Sequence, residues 1–487
     1  MSISHLQPQR LWQYFSDICA IPHPSKHEAE LIAYILAEAE KHGVDAETDE
    51  LGNIRLSKPA TKGYEHSVPV VLQSHMDMVP QKNAATNHDF LTDPIKPYVD
   101  GSWVTADGTT LGADNGIGMA AILAVMFNRD LEHGPLEALL TADEEAGMSG
   151  AFGLKPGWFE GKVLLNLDTE EEGELYVGCA GGVDVNVRWP VEYEAVPDVG
   201  YCAVSLSVTG LKGGHSGIDI HKGRGNANKL LCRTLLELSR HLELSVASIE
   251  GGSLRNAIPR EAFSTLVIHE SDRDQFNQIL SDVIDDISDE YEAVESDLMI
   301  KSESVDLPEQ VMVQEAFVGL LNAIVVCPNG VMRNSIKFDG VVETSSNFGV
   351  ITSDDEVVSL LFMTRSLKNH ARDNTVQRIR SCFEMVDAEV KAEGAYPGWT
   401  PSDEPKLLNL TKSVYKRLMG KEAGVQVIHA GLECGILGDI YPEWDMISFG
   451  PTITGAHSPD ERVDIASVAR FWDLLVAVLA KLAKSYE

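Results

Sequence analysis

His75 and Asp77 stand two residues apart in SHMDM, at the end of the apolar run VPVVLQSH. On an extended segment that spacing sends both side chains to the same face, so one can ligate a cation while the other orients or supports it. Asp114 lies in TLGADNGIGMA, a glycine-flanked turn that opens a helix, and Glu144 and Glu145 are adjacent in TADEEAG. Neighbouring residues cannot both aim at one ion without unusual geometry, which predicts separate roles for that pair. Asp168, ending LLNLD, and the distant His457 in TGAHSPDER complete a set of two imidazoles and five carboxylates. One Asp bridging two cations, with a His and a carboxylate on each, satisfies a pair of zinc-type sites and leaves room for a shared water. Glu145 is then a ligand and Glu144 the spare carboxylate, a general base that takes a proton from the attacking water and hands it to the departing group.

Such groups need a rigid platform. From residue 68 short apolar runs alternate with helical stretches, in VPVVLQSH, NGIGMAAILAVMF, LEALLTADEE and KVLLNLDTEEEG, which predicts a sheet covered by helices. Three of these runs end in candidate ligands, and in sheets of this kind ligands gather at the carboxyl ends of strands. WPVEYEAVPDVG is a proline-bearing connection that places a domain boundary near residue 187. Strand-rich stretches around 201–270 and 330–366, with amphipathic helices such as NANKLLCRTLLELSRHL, predict a separate α+β domain with a suggestion of internal duplication. A second connector, KAEGAYPGWTPSDEP, returns the chain to a helix and strand pattern. The expected fold class is α/β, a mixed sheet between helices over 1–187 plus 400–487, with an inserted α+β lid domain over 188–399.

A chain of 487 residues with 44% hydrophobic side chains is too long for one ordinary core. Its 74 acidic against 39 basic residues leave a net charge of −35, which repels phosphate backbones and anionic membrane surfaces and excludes nucleic acid as a partner. The seven cysteines are scattered and never form C-x-x-C, the usage of reduced thiols in the cytoplasm. The N-terminal stretch lacks the basic and apolar regions of an export signal, so none is expected. The C-terminal run ARFWDLLVAVLAKLAK is interrupted by Asp473 and Lys481 and reads as a packed helix rather than a membrane span. A binding protein that has lost catalysis would lack a ligand or the base, and both are present; no low-complexity tract supports a purely structural role.

The segments VVLQSHMDMVPQK, GTTLGADNGIGMA, LLTADEEAGMSGAFGL, NLDTEEEGELYVGCAGG, GLKGGHSG, LRNAIPREAF, IHAGLECG and SFGPTITGAHSPDE resemble the bacterial aminoacyl-histidine dipeptidases, the Xaa-His or carnosinase-like enzymes, over nearly the whole chain. Those enzymes belong to a clan of di-zinc metallopeptidases, with glutamate carboxypeptidases, tripeptidases and acylases, that share the order H-x-D, D, E-E, D, H. All seven positions are filled here. The resemblance implies that His75, Asp114 and Asp168 hold one ion and Asp114, Glu145 and His457 the other, with Asp114 bridging. It implies that Asp77 supports His75 by a hydrogen bond, and its assignment of Glu144 as general base agrees with the reading of the Glu pair. In the lid it implies that His215 of GGHSG steadies the tetrahedral intermediate. Arg365 of LFMTRSL would grip the substrate carboxylate, assisted by Asn256 of RNAIP. His221 and His429 lie beside matched segments without an assigned role. The implied cofactors are two divalent metal ions, zinc by ligand type, with cobalt or manganese accepted by the same oxygen and nitrogen set. The implied partners are a small dipeptide substrate and a second copy of the chain in a homodimer; some relatives dimerise through the lid and others carry an enlarged lid in place of the second copy, and a middle domain of this size fits either. A tripeptidase, carboxypeptidase or N-deacylase of the same clan would carry the same ligands, because they do not encode the substrate side chain.

Overall fold

The structure, a computed structural model, describes residues 3–485 apart from 198 and 403. It comprises two compact units, one assembled from Met1–Gly178, Trp399–Val427 and Leu432–Glu487, the other from Cys179–Gly398 and Ile428–Gly431.

The first unit is built on an eight-stranded mixed sheet. Its order is Asp45–Thr48, Ile54–Lys58, Leu136–Thr141, Val70–His75, Val163–Asn166, Asp445–Ser448, Glu174–Cys179 and Gly424–Ile428. The four central strands run parallel, with His75 beside Thr141, Gln73 beside Asn166 and Ser448 beside Asn166. Every residue of Val70–His75, Leu136–Thr141 and Val163–Asn166 is buried, which is why these runs read as continuously apolar rather than alternating. The helix Ala113–Met126 is buried along its whole length except at Asp114, the pattern of a core helix. A small four-stranded sheet pairs the hairpin Ile453–Thr454 and Arg462–Asp464 with Trp103–Ala106 and Pro97–Asp100, so His457 sits in a hairpin turn. The C-terminal run forms the helix Ile465–Ser485, and among the described residues no helix is long and apolar enough to cross a membrane.

The second unit starts earlier than residue 188. Gly181–Pro190 is already a strand of its nine-stranded sheet, paired with Val357–Ser366 and Glu389–Tyr396. Val183, Val185, Val187 and Trp189 alternate into the core of this unit, and the proline at 190 closes the strand instead of marking a linker before it. Apart from Gly330–Asn334, which pairs along Val342–Ser353, the sheet consists of two halves with one connectivity, strand, helix, strand, strand, helix, strand. The first half is Tyr201–Thr209, Ala227–Ser239, Leu244–Gly251, Ala262–His269, Arg273–Tyr291 and Met299–Val305. The second is Gly181–Pro190, Gln314–Val326, Val342–Ser353, Val357–Ser366, Asn369–Glu384 and Glu389–Tyr396. In each half the strands lie in spatial order 4-1-3-2, and the halves join through their second strands at Glu250 with Thr352 and Gly251 with Ile351. The first half is inserted between the first strand and the first helix of the second.

Candidate metal centre

Three of the four parallel strands of the first unit lead into members of a compact cluster, and a helix start and a hairpin supply the rest. His75 closes its strand and points Nε2 at Asp114 Oδ1, 3.2 Å away, and at Asp168 Oδ1, 3.4 Å away. Asp168 follows Val163–Asn166 by two residues, and Asn115 Nδ2 donates to its Oδ1. Asp114 breaks the helical backbone one residue into Ala113–Met126, where it and Asn115 are non-helical and joined by a cis peptide. Its other oxygen, Oδ2, lies 3.2 Å from His457 Nε2, which is also 2.9 Å from Glu145 Oε1. Ligand atoms of His75, Asp114 and Asp168 thus converge, as do those of Asp114, Glu145 and His457, and each set lies within 4.8 Å of itself. Asp114 belongs to both.

The strand Leu136–Thr141 stops short of the glutamate pair. Asp143 adopts a left-handed backbone, φ 54°, and Glu144 and Glu145 occupy the turn that follows. Asp77 holds that turn: its Oδ1 accepts the Glu144 N–H at 2.9 Å, and its Oδ2 accepts the Glu145 N–H at 3.1 Å and the Ser25 hydroxyl at 2.7 Å. Its contact with His75 is shared. Nδ1 lies 3.0 Å from the Asp77 carbonyl and 3.4 Å from its carboxylate. Burial alone would raise Asp77, but His75, Ser25 and the Glu144 N–H hold it to about 2.

The electrostatics of the cluster are those of a site short of positive charge. Burial, with Asp168 and Glu145 nearby, pushes Glu144 well above the ordinary carboxyl range, and burial pushes Asp168 up to about 6. Hydrogen bonds to Asp114 and Glu145 raise His457 to about 11. Burial opposes a charge on His75, yet Asp168 and Asp114 still hold it well above its usual value. Among the described residues, the ion-pair partners of Asp77, Asp114, Glu145 and Asp168 are the two imidazoles, and neither lysine nor arginine pairs with them. Carboxylates gathered this densely need external cations, and two groups of one nitrogen and two oxygens sharing a carboxylate suit two divalent ions.

Two buried acids escaped the sequence reading. Glu461, 2% exposed, accepts the backbone N–H groups of Leu111 at 2.7 Å and Gly112 at 3.0 Å on Oε2, and of Ala113 at 2.8 Å and Asp114 at 3.2 Å on Oε1. Glu433, 0% exposed, bonds Gln73 and Thr141 beneath His75. Both lie inside quoted motifs, four residues after His457 and four after His429, but their partners are hundreds of residues away in sequence.

In the second unit GGHSG and RNAIP form a short ladder, Gly214 with Ile258 and His215 with Ala257. His215 Nδ1 accepts the N–H groups of Gly217 at 3.2 Å and Ile218 at 3.0 Å, which leaves the ring proton on Nε2. Arg365 Nη2 lies 3.5 Å from that Nε2, too long and too donor-rich for a hydrogen bond between them, so both are free to converge on an anion. Arg365 is otherwise fixed by the Ser216 hydroxyl at 3.3 Å and the Tyr396 hydroxyl at 3.0 Å. Burial first and Arg365 second hold His215 down to about 4, so it is neutral near pH 7. The Asn256 side chain is exposed, and its carbonyl accepts the Ser216 N–H. His429 is buried against Arg365, with Nε2 2.7 Å from the Ser345 hydroxyl, while His221 is exposed.

The chain is 48% identical over 483 residues, 99% of both chains, to the cytosol non-specific dipeptidase of Escherichia coli strain K12. Its fold superimposes on the crystal structure of aminoacylhistidine dipeptidase from Vibrio alginolyticus with TM-score 0.90 and 48% identity, covering 98% of each chain. Aminopeptidase PepT from Bacillus cereus shares the fold at TM-score 0.58 and 17% identity, over 98% of this chain and 100% of that one. Residues 71–481 match the model of peptidase family M20/M25/M40, and the chain belongs to that family.

Proposed function

We propose that this chain is a cytoplasmic metal-dependent dipeptidase that cleaves unblocked dipeptides, Xaa-His among them. The observation that carries the reading is Asp114, whose two oxygens face two separate histidine and carboxylate groups. His75, Asp114 and Asp168 would hold one divalent ion and Asp114, Glu145 and His457 the other, zinc by ligand type. When bound, such ions polarise a peptide carbonyl and acidify a water between them. Glu144 accepts the proton of the attacking water and returns it to the leaving nitrogen; burial, which favours its protonated form, suits it to that second step. Asp77 orients His75 and holds the Glu144–Glu145 turn. In the second unit, the proposed lid, His215 offers its Nε2 proton to the oxyanion, Arg365 grips the substrate carboxylate and Asn256 assists.

The names of the two relatives at 48% identity support dipeptides as the substrate class, and they differ in breadth, one non-specific and one for aminoacylhistidine. The test strips the protein with a chelator and restores zinc, cobalt or manganese against carnosine, other dipeptides, tripeptides and N-acyl amino acids. Restored hydrolysis of dipeptides above the other classes is expected, and preference for tripeptides or N-acyl amino acids would sink the reading. The same preparation, measured by light scattering, is expected to show twice the mass of one chain, as a homodimer requires.

A further inference from the structure

Beneath the ligands of the first unit lies a second polar layer, fully buried. Gln73 precedes His75 by two residues and Asn166 precedes Asp168 by two, so each faces the same side of the sheet as the residue above it, roughly 7 Å along the strand. Gln73 and Asn166 are register partners, as are His75 and Thr141. Asn166 Nδ2 donates to Gln73 Oε1, Gln73 Nε2 donates to Glu433 Oε2 at 2.6 Å, and the Thr141 hydroxyl donates to that same oxygen at 2.6 Å. Glu433 opens the helix Glu433–Ile440 and is 0% exposed. Its other oxygen, Oε1, has no hydrogen-bond partner among the described residues, and the charged groups that act on it are His75 and further carboxylates.

A buried carboxylate with no cation beside it is expensive, and a glutamine here would make both observed contacts without the charge. The N-terminal dipole of its own helix offsets part of that charge. The remainder is relieved by a proton, since burial pushes the group up to about 7, or above that pH by cations in the cluster one layer above. We infer that Glu433 is a positioning residue for the metal centre, a buried counter-charge beneath the His75 and Asp168 pair that strengthens binding of the cation held there. The inference rests on the reading of the upper cluster as a cation site, and it gives the lower layer a purpose that folding alone does not, since folding is better served by an uncharged residue.

The full-length protein, stripped of metal, is titrated with cobalt and with zinc against a chelating dye at pH 8, and its melting temperature is recorded with and without metal for the wild type, Glu433→Gln and Glu433→Ala. In Glu433→Gln, which keeps an acceptor for Gln73 and Thr141, the metal-free protein is expected to melt no lower than wild type. At least one ion should bind about tenfold more weakly, from the loss of a unit charge at this range, while the visible spectrum of the cobalt form stays that of the wild-type ligand set. Glu433→Ala, which removes the contacts as well, should melt lower in both states. Wild-type affinity in Glu433→Gln, or a metal-free melting temperature as low as that of Glu433→Ala, would overturn the inference in favour of a structural role. Failure of the wild-type protein to bind either ion overturns the cation reading beneath it as well, so the two failures are distinguishable.

Discussion

Glu144 and Glu145 are chain neighbours for which different tasks are proposed, and Asp77 holds the backbone of both. By taking one N–H on each oxygen, Asp77 fixes a turn from which both carboxylates converge with His75, against the expectation that chain neighbours cannot share a site, and from which Glu145 also reaches His457 at 2.9 Å. Replacing Glu144 with Gln is therefore expected to lower dipeptide turnover by about 10²–10⁴-fold, the usual contribution of general acid–base catalysis, with metal content unchanged. Metal analysis beside kcat checks this, and retained turnover rules out the base assignment. The residue types were legible in the sequence, because histidines and carboxylates at strand ends announce a cation site. The clamp by Asp77 was not. Its bonds run to backbone N–H groups 67 and 68 residues away, and a backbone donor leaves no mark on side-chain pattern.

At the scale of elements, the turn that presents Asp114 and the hairpin that presents His457 are joined by the Glu461 side chain as well as by the His457 to Asp114 contact. A helix start leaves its first N–H groups without partners, and here Glu461 supplies both carboxylate oxygens to the four from Leu111 to Asp114. Replacing Glu461 with Gln turns one acceptor into a donor facing two N–H groups, and each buried donor so orphaned costs about 1–3 kcal/mol. The expected result is a lower melting temperature together with faster hydrogen exchange at amides 111–114. Unchanged exchange there would show that the helix start is held by something else. The strands themselves were readable from their apolar runs, and so was the turn at Asp114. What composition could not disclose was the strand order, which brings Asp445–Ser448 beside Val163–Asn166 from almost three hundred residues later. Nor could it place the start of the second unit, because Pro190 ends a strand and looks the same in sequence as a linker.

For the whole molecule, composition anticipated more than one core and an acidic surface, while the nested halves of the second unit stayed hidden because one half interrupts the other. That unit also carries an acid sensitivity of its own. Burial and the charge of Arg365 hold His429 down to about 3 and His215 to about 4, against an ordinary value of 6.5. Between pH 6.5 and 4 the unfolded chain therefore binds protons at both rings that the folded unit refuses, and stability falls as pH falls through that window. Each ring contributes a slope of up to about 1.4 kcal/mol per pH unit. Replacing His429 with Gln, which offers the Ser345 hydroxyl a polar partner that does not titrate, should flatten the acid limb of a melting-temperature profile between pH 7 and 4.5 relative to wild type. Parallel limbs in the two proteins would mean that His429 takes its proton in the folded state as readily as in the unfolded one, and that the positive charge of Arg365 is neutralised before it reaches the ring.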